Sequence, residues 1–138
     1  NAQEFKEELI DYLLKLGYEV EDFGAPDSIY ANVAVSVAKA VAAGRCDRGI
    51  LVCGTGIGMS IAANKVKGAY AALVNDVYQA QRAELSNHAN IITMGAQVTG
   101  IEVAKMMAAE YLKNTFDQNS RSVPKVERIY SYEKEAMK

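Results

Sequence analysis

The sequence has few of the features that mark secreted, membrane or metal-binding proteins. Only two of its 138 residues are cysteines, Cys46 and Cys53. Two are too few for a disulfide framework, and neither stands in a Cys-x2-Cys or Cys/His spacing of the kind that zinc needs. No apolar run approaches the roughly 20 residues that cross a bilayer, and no basic segment leads into an apolar one at the N-terminus. We therefore expect a cytoplasmic protein with no membrane span and no metal site, in which each cysteine is a free thiol.

An excess of charge of one sign is also lacking. The 15 basic and 17 acidic residues give a formal net charge of -2, and they are interspersed rather than gathered into the basic stripe that a phosphodiester backbone requires. We therefore do not expect a nucleic-acid partner. Half of the residues are hydrophobic, which in a chain of this length is enough for the core of one domain. We expect a single domain over 1–138.

Helical and strand patterns alternate along the chain. Apolar residues recur at helical spacing over 5–16 and stop at Gly17, and 18–23 alternates like a short strand that leads into a loop at 24–27. Further helices are predicted over 30–43, 59–65, 77–85, 101–116 and, after Pro124, within 123–136; further strands are predicted over 49–53, 70–74 and 91–94. This alternation predicts an open, doubly wound parallel sheet of the Rossmann-like α/β class, with helices on both faces.

The segment from Cys53 to Ser60 is the most distinctive part of the sequence. It follows a continuous apolar run typical of a strand that is covered on both faces, and it reads Cys-Gly-Thr-Gly-Ile-Gly-Met-Ser. Glycines that lead from a strand into a helix let main-chain amides approach an anion. A thiol at the carboxyl end of such a strand lies where doubly wound proteins bind ligands, and helix N-termini favour thiolates. Cys53 is therefore a candidate base beside an oxyanion or phosphate site, and we expect its sulfur within about 4 Å of the amides of 54–60.

Two other interpretations of this segment stay open. The glycines could form only a tight turn, with Cys53 as a small buried hydrophobic residue, which is the commonest role of a free cysteine. Gly54-x-Gly56 with Asp76 about 20 residues later also resembles part of a dinucleotide fingerprint. That fingerprint needs a third glycine where this sequence has Met59. A nicotinamide-dinucleotide-binding protein is therefore the less favoured alternative.

The run from Gly49 to Lys65, Gly-Ile-Leu-Val-Cys-Gly-Thr-Gly-Ile-Gly-Met-Ser-Ile-Ala-Ala-Asn-Lys, closely resembles the ribose-5-phosphate isomerase B and galactose-6-phosphate isomerase family. The similarity continues through 17–24, 90–95 and 100–105. It implies an aldose-ketose isomerase of sugar phosphates that uses no cofactor. A cysteine moves the proton between C1 and C2, and loop amides stabilise the enediolate. This chemistry fits the residues, because preorganised amides stabilise an oxyanion.

The resemblance also implies roles for individual residues. Cys53 is the base, Thr55 a ring-opening or hydroxyl-binding group, and Asn64 a support of the loop. His88, the single histidine of the sequence, is a candidate catalytic acid. The implied substrate-binding residues are Tyr30, Gly54, Gly56, Ile57, Gly58, Ser60 and Asn87, and the implied phosphate-binding residues are Arg121 and Lys125.

Members of this family are dimers in which the C-terminal tail reaches the neighbouring site. The resemblance therefore implies a homodimer or a dimer of dimers, or a pair with a homologous subunit. We expect the tail 117–138 to pack on the partner, with Arg121 and Lys125 near the partner's glycine loop. Its Tyr130, Tyr132 and Met137 are expected to be buried in that interface.

The sequence departs from the pattern of this family in two places. Family members begin with a strand that ends in Asp-His, so we expect a first strand that is missing from this sequence. Ser86 stands at the position of the ring-opening histidine, and His88 follows two residues later. The substrate therefore stays open between ribose 5-phosphate and a galactose, allose or tetrose phosphate, the last of which needs no ring opening. A catalytically weak sugar-phosphate-binding subunit of a hetero-oligomeric isomerase is the other alternative.

Overall fold

A computed structural model describes residues 2–24 and 29–137. Helices and strands alternate over most of this length, in the order α1 (Ala2–Lys15), α2 (Tyr30–Ala42), β1 (Gly49–Cys53), α3 (Ile57–Ala63), β2 (Ala71–Leu73), α4 (Val77–Leu85), β3 (Ile91–Gly95), α5 (Ile101–Lys113) and α6 (Val123–Ala136). None of the helices in these two ranges has the length and apolar character needed to cross a membrane.

The strands form one parallel sheet in the order β1-β3-β2. β1 pairs with β3 along its whole length, from Gly49 opposite Ile91 to Cys53 opposite Gly95, and β2 pairs with the other edge of β3. All five residues of β3 are buried, as expected for a central strand covered by helices on both faces. The predicted parallel α/β class is confirmed.

Two apolar cores lie on opposite faces of this sheet. Helices α1, α4 and α5 build the first core, to which Leu9, Ala80 and Met107 contribute. Helices α2 and α3 build the second, where Val37 and Met59 belong to one buried cluster with Leu51 of β1. Because both faces are covered, ligands have access mainly at the edges of the sheet, and in parallel sheets the edge at the carboxyl ends of the strands carries the functional loops.

The strand predicted over 18–23 is not a strand in the structure. Side chains still alternate along this segment, since Tyr18 and Val20 pack against the first core and Phe23 against the second. A strand requires a hydrogen-bonded neighbour, and among the described residues none forms a ladder with 18–24. The loop predicted at 24–27 falls largely outside the described residues, and the expected strand before Asn1 lies outside the sequence and stays a prediction.

The last helix, α6, is fixed to the amino-terminal edge of the sheet by one carboxylate. Glu133 accepts hydrogen bonds from the N–H of Gly68 at 3.1 Å and from the hydroxyl of Tyr70 at 2.6 Å, just before β2 begins. The rings of Tyr70 and Tyr130 also pack with their centroids 5.0 Å apart. Burial, and then the Glu133 carboxylate, raises the pKa of Tyr70 well above its ordinary value. The phenol is therefore protonated and donates to Glu133.

Candidate functional site

The chain turns sharply after β1, and Gly56 makes the turn possible. Gly56 has a φ of 83°, in the left-handed region that favours glycine. A Cβ at this position would lie 2.7 Å from the side chain of Leu73 and 2.8 Å from the main chain of Met94. The buried hydroxyl of Thr93 donates a hydrogen bond to the Gly56 carbonyl at 2.9 Å. The glycine loop, residues 54–60, is therefore held tightly on β3.

Hydrogen bonds also join the glycine loop to the segment that follows β3. The Ala96 N–H donates to the Cys53 carbonyl at 2.8 Å, and the Gln97 N–H donates to the Gly54 carbonyl at 3.0 Å. Further along, the Asn64 side chain donates to the Ala71 carbonyl at 2.9 Å and accepts from the Ala71 N–H at 2.8 Å. Asn64 thus fixes the end of α3 to β2, in agreement with its expected role as a support of the loop.

The thiol of Cys53 lies within this loop. The Gly56 N–H donates a hydrogen bond to the Cys53 sulfur, with an N···S distance of 3.1 Å, which confirms the predicted separation of at most about 4 Å. Cys53 is a free, half-buried cysteine. The sulfur is therefore held at the carboxyl end of β1, on a residue that keeps part of its surface exposed.

Two main-chain donors of the same turn are free to bind a ligand. Ser60 makes the first hydrogen bond of α3, to the Gly56 carbonyl at 3.2 Å, and the Ile57 N–H is taken by the Thr55 hydroxyl at 3.3 Å. The N–H groups of Gly58 and Met59 have no acceptor among the described residues, as is usual in the first turn of a helix. The loop therefore combines a thiol with unpaired amide donors, while Thr55 helps to hold the loop.

Tyr30, the first residue of α2, packs on this loop. A Cβ at Gly58 would come within 2.4 Å of two Tyr30 ring carbons and within 2.3 Å of the Tyr30 hydroxyl oxygen, so glycine at 58 makes room for the ring. Tyr30 is 47% exposed, and its hydroxyl can donate to and accept from a ligand. The structure thus brings together Tyr30, Cys53 and the whole predicted run from Gly54 to Ser60.

Asn87 and His88 lie at the opposite edge of the sheet. Both precede β3 and are therefore at the amino ends of the strands, whereas Cys53 is in register with Gly95 at the carboxyl end of β3. The His88 Nδ1 lies 2.6 Å from a Glu84 carboxylate oxygen, and its ring stacks on Phe116 with centroids 4.7 Å apart. These contacts hold the His88 ring away from Cys53 of the same chain, and its expected role as a catalytic acid stays a prediction.

Glu84 is the centre of a cluster that sequence reasoning missed. Its side chain is 3% exposed, and it accepts from the Phe116 N–H at 3.1 Å and pairs with the Arg48 guanidinium at 3.3 Å. Arg48 also donates to the carbonyls of Tyr111 and Asn114 at the end of α5. These residues are distant in sequence and follow no local pattern, so only the folded chain reveals that they anchor the amino edge of the sheet.

Arg121 and Lys125 are exposed on the tail. The tail leaves α5 at Phe116, which is bound to Glu84, and it is attached again through Glu133. Neither cationic side chain has a hydrogen bond or ion pair with the described part of the chain. Tyr130, one of the three residues expected in an interface, packs on Tyr70 of its own chain, and the interface itself stays a prediction.

The second thiol, Cys46, has a different environment. Its sulfur lies 3.6 Å from a Glu21 carboxylate oxygen. Burial, and then this carboxylate, raises the pKa of the Cys46 thiol, so Cys46 is a poor candidate for a base. No group of three or more His, Cys, Asp or Glu side chains within 2–24 and 29–137 has the arrangement of a metal site.

Comparisons with known proteins find relatives over nearly the whole chain. A family model described as Ribose/Galactose Isomerase matches residues 1–129. D-erythrulose-4-phosphate isomerase 2 of Mycolicibacterium smegmatis is 48% identical over 118 residues, covering 83% of this chain and 78% of the relative. D-erythrulose-4-phosphate isomerase of Pectobacterium atrosepticum is 45% identical over 136 residues, covering 96% and 89%. The structure of Clostridium thermocellum ribose-5-phosphate isomerase B matches with a TM-score of 0.91 and 41% identity, covering 98% of this chain and 93% of that one.

Proposed function

The chain belongs to the Ribose/Galactose Isomerase family and is an isomerase, and we propose that it interconverts aldose and ketose sugar phosphates with Cys53 as the base. The observation that carries this proposal is the hydrogen bond of 3.1 Å between the Gly56 N–H and the Cys53 sulfur. Aldose-ketose isomerisation needs a base at carbon and donors at the neighbouring oxygen. A thiol and loop amides in one turn supply both, without a cofactor.

The proposed reaction begins when the Cys53 thiolate removes the proton from C2 of the aldose. The electron pair of that C–H bond forms the C1–C2 double bond, and the carbonyl electrons move to O1 as an enediolate. The free amides of Gly58 and Met59 are suited to bind this oxyanion. The protonated thiol then returns its proton to C1, while a proton passes from the O2 hydroxyl to O1. Tyr30 and Thr55 have hydroxyls at the loop that can bind substrate oxygens.

We propose a tetrose 4-phosphate as the preferred substrate. The two relatives named as D-erythrulose-4-phosphate isomerases are 48% and 45% identical to this chain. In an aldotetrose 4-phosphate the oxygen that would close a five-membered ring carries the phosphate, so the sugar stays open and needs no ring-opening acid. This agrees with Ser86 at the position where the resemblance places the family's ring-opening histidine.

The experiment is an isomerase assay of the purified chain with D-erythrulose 4-phosphate, ribose 5-phosphate and galactose 6-phosphate, followed by NMR. We expect kcat/KM for the tetrose phosphate to exceed that for ribose 5-phosphate by at least about tenfold, or 1.4 kcal/mol of transition-state stabilisation. An equal or reversed order would reject the preference for a tetrose phosphate. The proposal that the chain is a sugar-phosphate isomerase would still stand. Binding of all three sugars without turnover would support the alternative of a catalytically weak subunit.

We also propose that two copies of the chain complete each other's sites. The phosphate group of the substrate calls for cationic ligands, and the tail's Arg121 and Lys125 are exposed and unpaired within the described chain. We picture a homodimer in which the tail 117–138 reaches the partner's glycine loop. The two cations, together with Asn87 and His88, would then lie beside Cys53 of the other copy. The exposed Ile57 and Ile61 on α3, 53% and 59% accessible, offer an apolar contact at that loop.

The proposed location of the enzyme is the cytoplasm. Its substrates would be phosphorylated sugars of central carbohydrate metabolism, and both of its cysteines are free thiols. Thiols stay reduced in that compartment, which a cysteine base requires.

A further inference from the structure

The tail 117–138 begins beside a buried cluster whose centre is Glu84. Its Oε1 accepts a hydrogen bond from the Phe116 N–H at 3.1 Å and lies 2.6 Å from the His88 Nδ1. Its Oε2 pairs with the Arg48 guanidinium at 3.3 Å. The His88 ring stacks on the Phe116 ring, with centroids 4.7 Å apart and planes inclined by 18°. Glu84 and His88 thus hold both the main chain and the side chain of the residue just before the tail.

His88 occupies its place in this cluster with a strained main chain. Its φ is 52°, and in 2–24 and 29–137 it is the only residue other than glycine with a positive φ. Such a conformation is unfavourable for a residue with a Cβ, and it persists where surrounding contacts hold it, often at functional sites. The contacts with Glu84 and Phe116 hold it here. The strain therefore indicates that this cluster has a function besides filling space.

The far end of the tail is attached to the same short segment of chain, residues 84–90. Glu133 of α6 accepts hydrogen bonds from the Gly68 N–H and the Tyr70 hydroxyl. Asn90 binds the same two residues, because its side chain accepts from the Tyr70 N–H at 2.8 Å and donates to the Gly68 carbonyl at 2.9 Å. The segment 84–90 therefore holds the tail at both ends, directly at one and through Gly68 and Tyr70 at the other.

The stretch of tail between these two attachments is bonded internally. The Asn119 N–H donates to the Asp117 carboxylate at 2.9 Å, and the Ser120 N–H donates to the Asp117 carbonyl at 3.0 Å. Arg121 follows in the same turn, and Lys125 lies in the first turn of α6. A shift of the chain at the start of the tail would therefore move both cations.

We propose that Glu84 is a positioning residue for the cations of the tail and acts through Phe116 and His88. These three residues are called the clamp below. The proposal rests on the proposed function, in which Arg121 and Lys125 bind the substrate's phosphate in the partner's site. A tail that moved freely would lose conformational freedom when it bound the phosphate, whereas a preorganised tail loses less. Loss of the clamp should therefore weaken substrate binding and leave the proton transfer itself unchanged.

The first test is the steady-state kinetics of Glu84→Gln, with whichever of the three sugar phosphates the wild-type chain converts fastest. KM should rise by at least about fivefold while kcat stays within about twofold, the pattern for lost binding without lost chemistry. Leu9→Ala is the control. Leu9 is 3% exposed in the first core and does not belong to the clamp. This substitution should cost stability in a similar range and leave KM unchanged.

His88→Gly gives a second measurement in a variant that keeps its fold. Glycine adopts a positive φ without strain, and the pair of Glu84 with Arg48 stays in place. The variant loses the ring that stacks on Phe116. KM should rise by at least about threefold, and the amides of 117–125 should exchange their hydrogens faster. A fall in kcat with an unchanged KM would instead make His88 a catalytic group and overturn its place in the clamp.

A double-mutant cycle tests whether the clamp acts through the two cations. In the Arg121→Ala/Lys125→Ala background the cations are absent, so adding Glu84→Gln should change KM by less than about twofold. An effect on the structure in general would raise KM by the same factor in both backgrounds, which would overturn the proposal.

The same variants separate this proposal from the proposed function. If Arg121→Ala/Lys125→Ala raised KM and neither Glu84→Gln nor His88→Gly did, the clamp alone would be rejected. If Arg121→Ala/Lys125→Ala left KM unchanged, the tail would not bind the phosphate, and the proposed phosphate site and the clamp would both be rejected.

Discussion

The main-chain N–H of Gly56 donates a hydrogen bond to the sulfur of Cys53 across a distance of 3.1 Å. The main chain of Gly56 is also held on β3, because the Thr93 hydroxyl donates a hydrogen bond to its carbonyl. Leu73 and Met94 leave no room for a Cβ at this position. The position of the thiol and the course of the loop are therefore set together. A substitution at Cys53 or Gly56 should therefore lower the activity more strongly than it disturbs the rest of the fold.

Cys53→Ser should lower kcat by at least about a hundredfold, the usual range for loss of general acid-base catalysis. A serine hydroxyl is a far weaker base than a thiolate, whereas it occupies a similar volume. KM and the unfolding transition should change little. Steady-state kinetics and thermal denaturation measure these effects. Cys46→Ser is the matched control and should retain full activity, and undiminished turnover in Cys53→Ser would point to a different base.

Gly56→Ala should abolish most activity and destabilise the protein by about 2 kcal/mol or more, because both its positive φ and its surroundings exclude a Cβ. Gly44→Ala is the matched control. Gly44 also has a positive φ, of 80°, but a Cβ there meets nothing within 4 Å. It should cost only about 1 kcal/mol and leave activity intact. Urea unfolding and kinetics compare the two, and equal effects would show that the contacts of Gly56 do not matter.

Tyr70→Phe should loosen α6, since the Tyr70 hydroxyl donates to Glu133 at 2.6 Å. A net loss of about 1 kcal/mol is typical of one hydrogen bond, and the amides of α6 should exchange faster. Because folding raises the pKa of Tyr70, its contribution is present below the ordinary tyrosine pKa of about 10 and is lost as pH rises beyond it.

The stability difference between wild type and Tyr70→Phe should therefore shrink at alkaline pH. Tyr78→Phe serves as the control, since Tyr78 is 71% exposed and should behave like wild type. A difference that stays constant from pH 8 to 11 would argue against the assigned hydrogen bond.

Glu84→Gln should destabilise the protein by about 3–5 kcal/mol, the cost of leaving a buried charge without its partner. The charge in question is Arg48, whose side chain is 17% exposed and pairs with Glu84 at 3.3 Å. Glu102→Gln is the control, because the Glu102 side chain is 79% exposed beside Lys105, and it should cost less than about 1 kcal/mol. Chemical denaturation separates the two, and a small effect at Glu84 would show that the cluster relaxes without loss.

Arg121→Ala should raise KM by at least about tenfold, since a charge-assisted hydrogen bond to phosphate contributes about 1.5–3 kcal/mol. The proposed site shared between two subunits predicts a further result. Mixing Cys53→Ser with Arg121→Ala should restore activity, measured below KM, because about one quarter of the sites then combine an intact Cys53 with a partner's intact Arg121. Mixtures that show only the sum of the two separate activities would place both residues in one subunit or remove Arg121 from the site.

Local patterns in the sequence determined much of the fold and the centre of the site. The apolar run 49–53 predicts β1, and the glycines after it predict the turn that carries Cys53, because strand, turn and helix propensities depend on neighbouring residues. The ends of helices follow less closely from local sequence patterns. The helix predicted to reach 116 ends at Lys113, since Phe116 turns inward and its N–H binds Glu84, a residue that no local pattern connects to it.

Only the tertiary structure decided which of the candidate residues meet. The strand order β1-β3-β2 brings Gly95 beside Cys53, and the packing of α2 brings Tyr30 onto Gly58. The same arrangement places His88 at the opposite edge of the sheet, and its expected role as a catalytic acid stays a prediction. The physical reason is that the hydrogen bonds between strands join main-chain groups that every residue possesses. Strand order therefore leaves no local mark in the sequence, while it fixes the distance between every pair of side chains in the site.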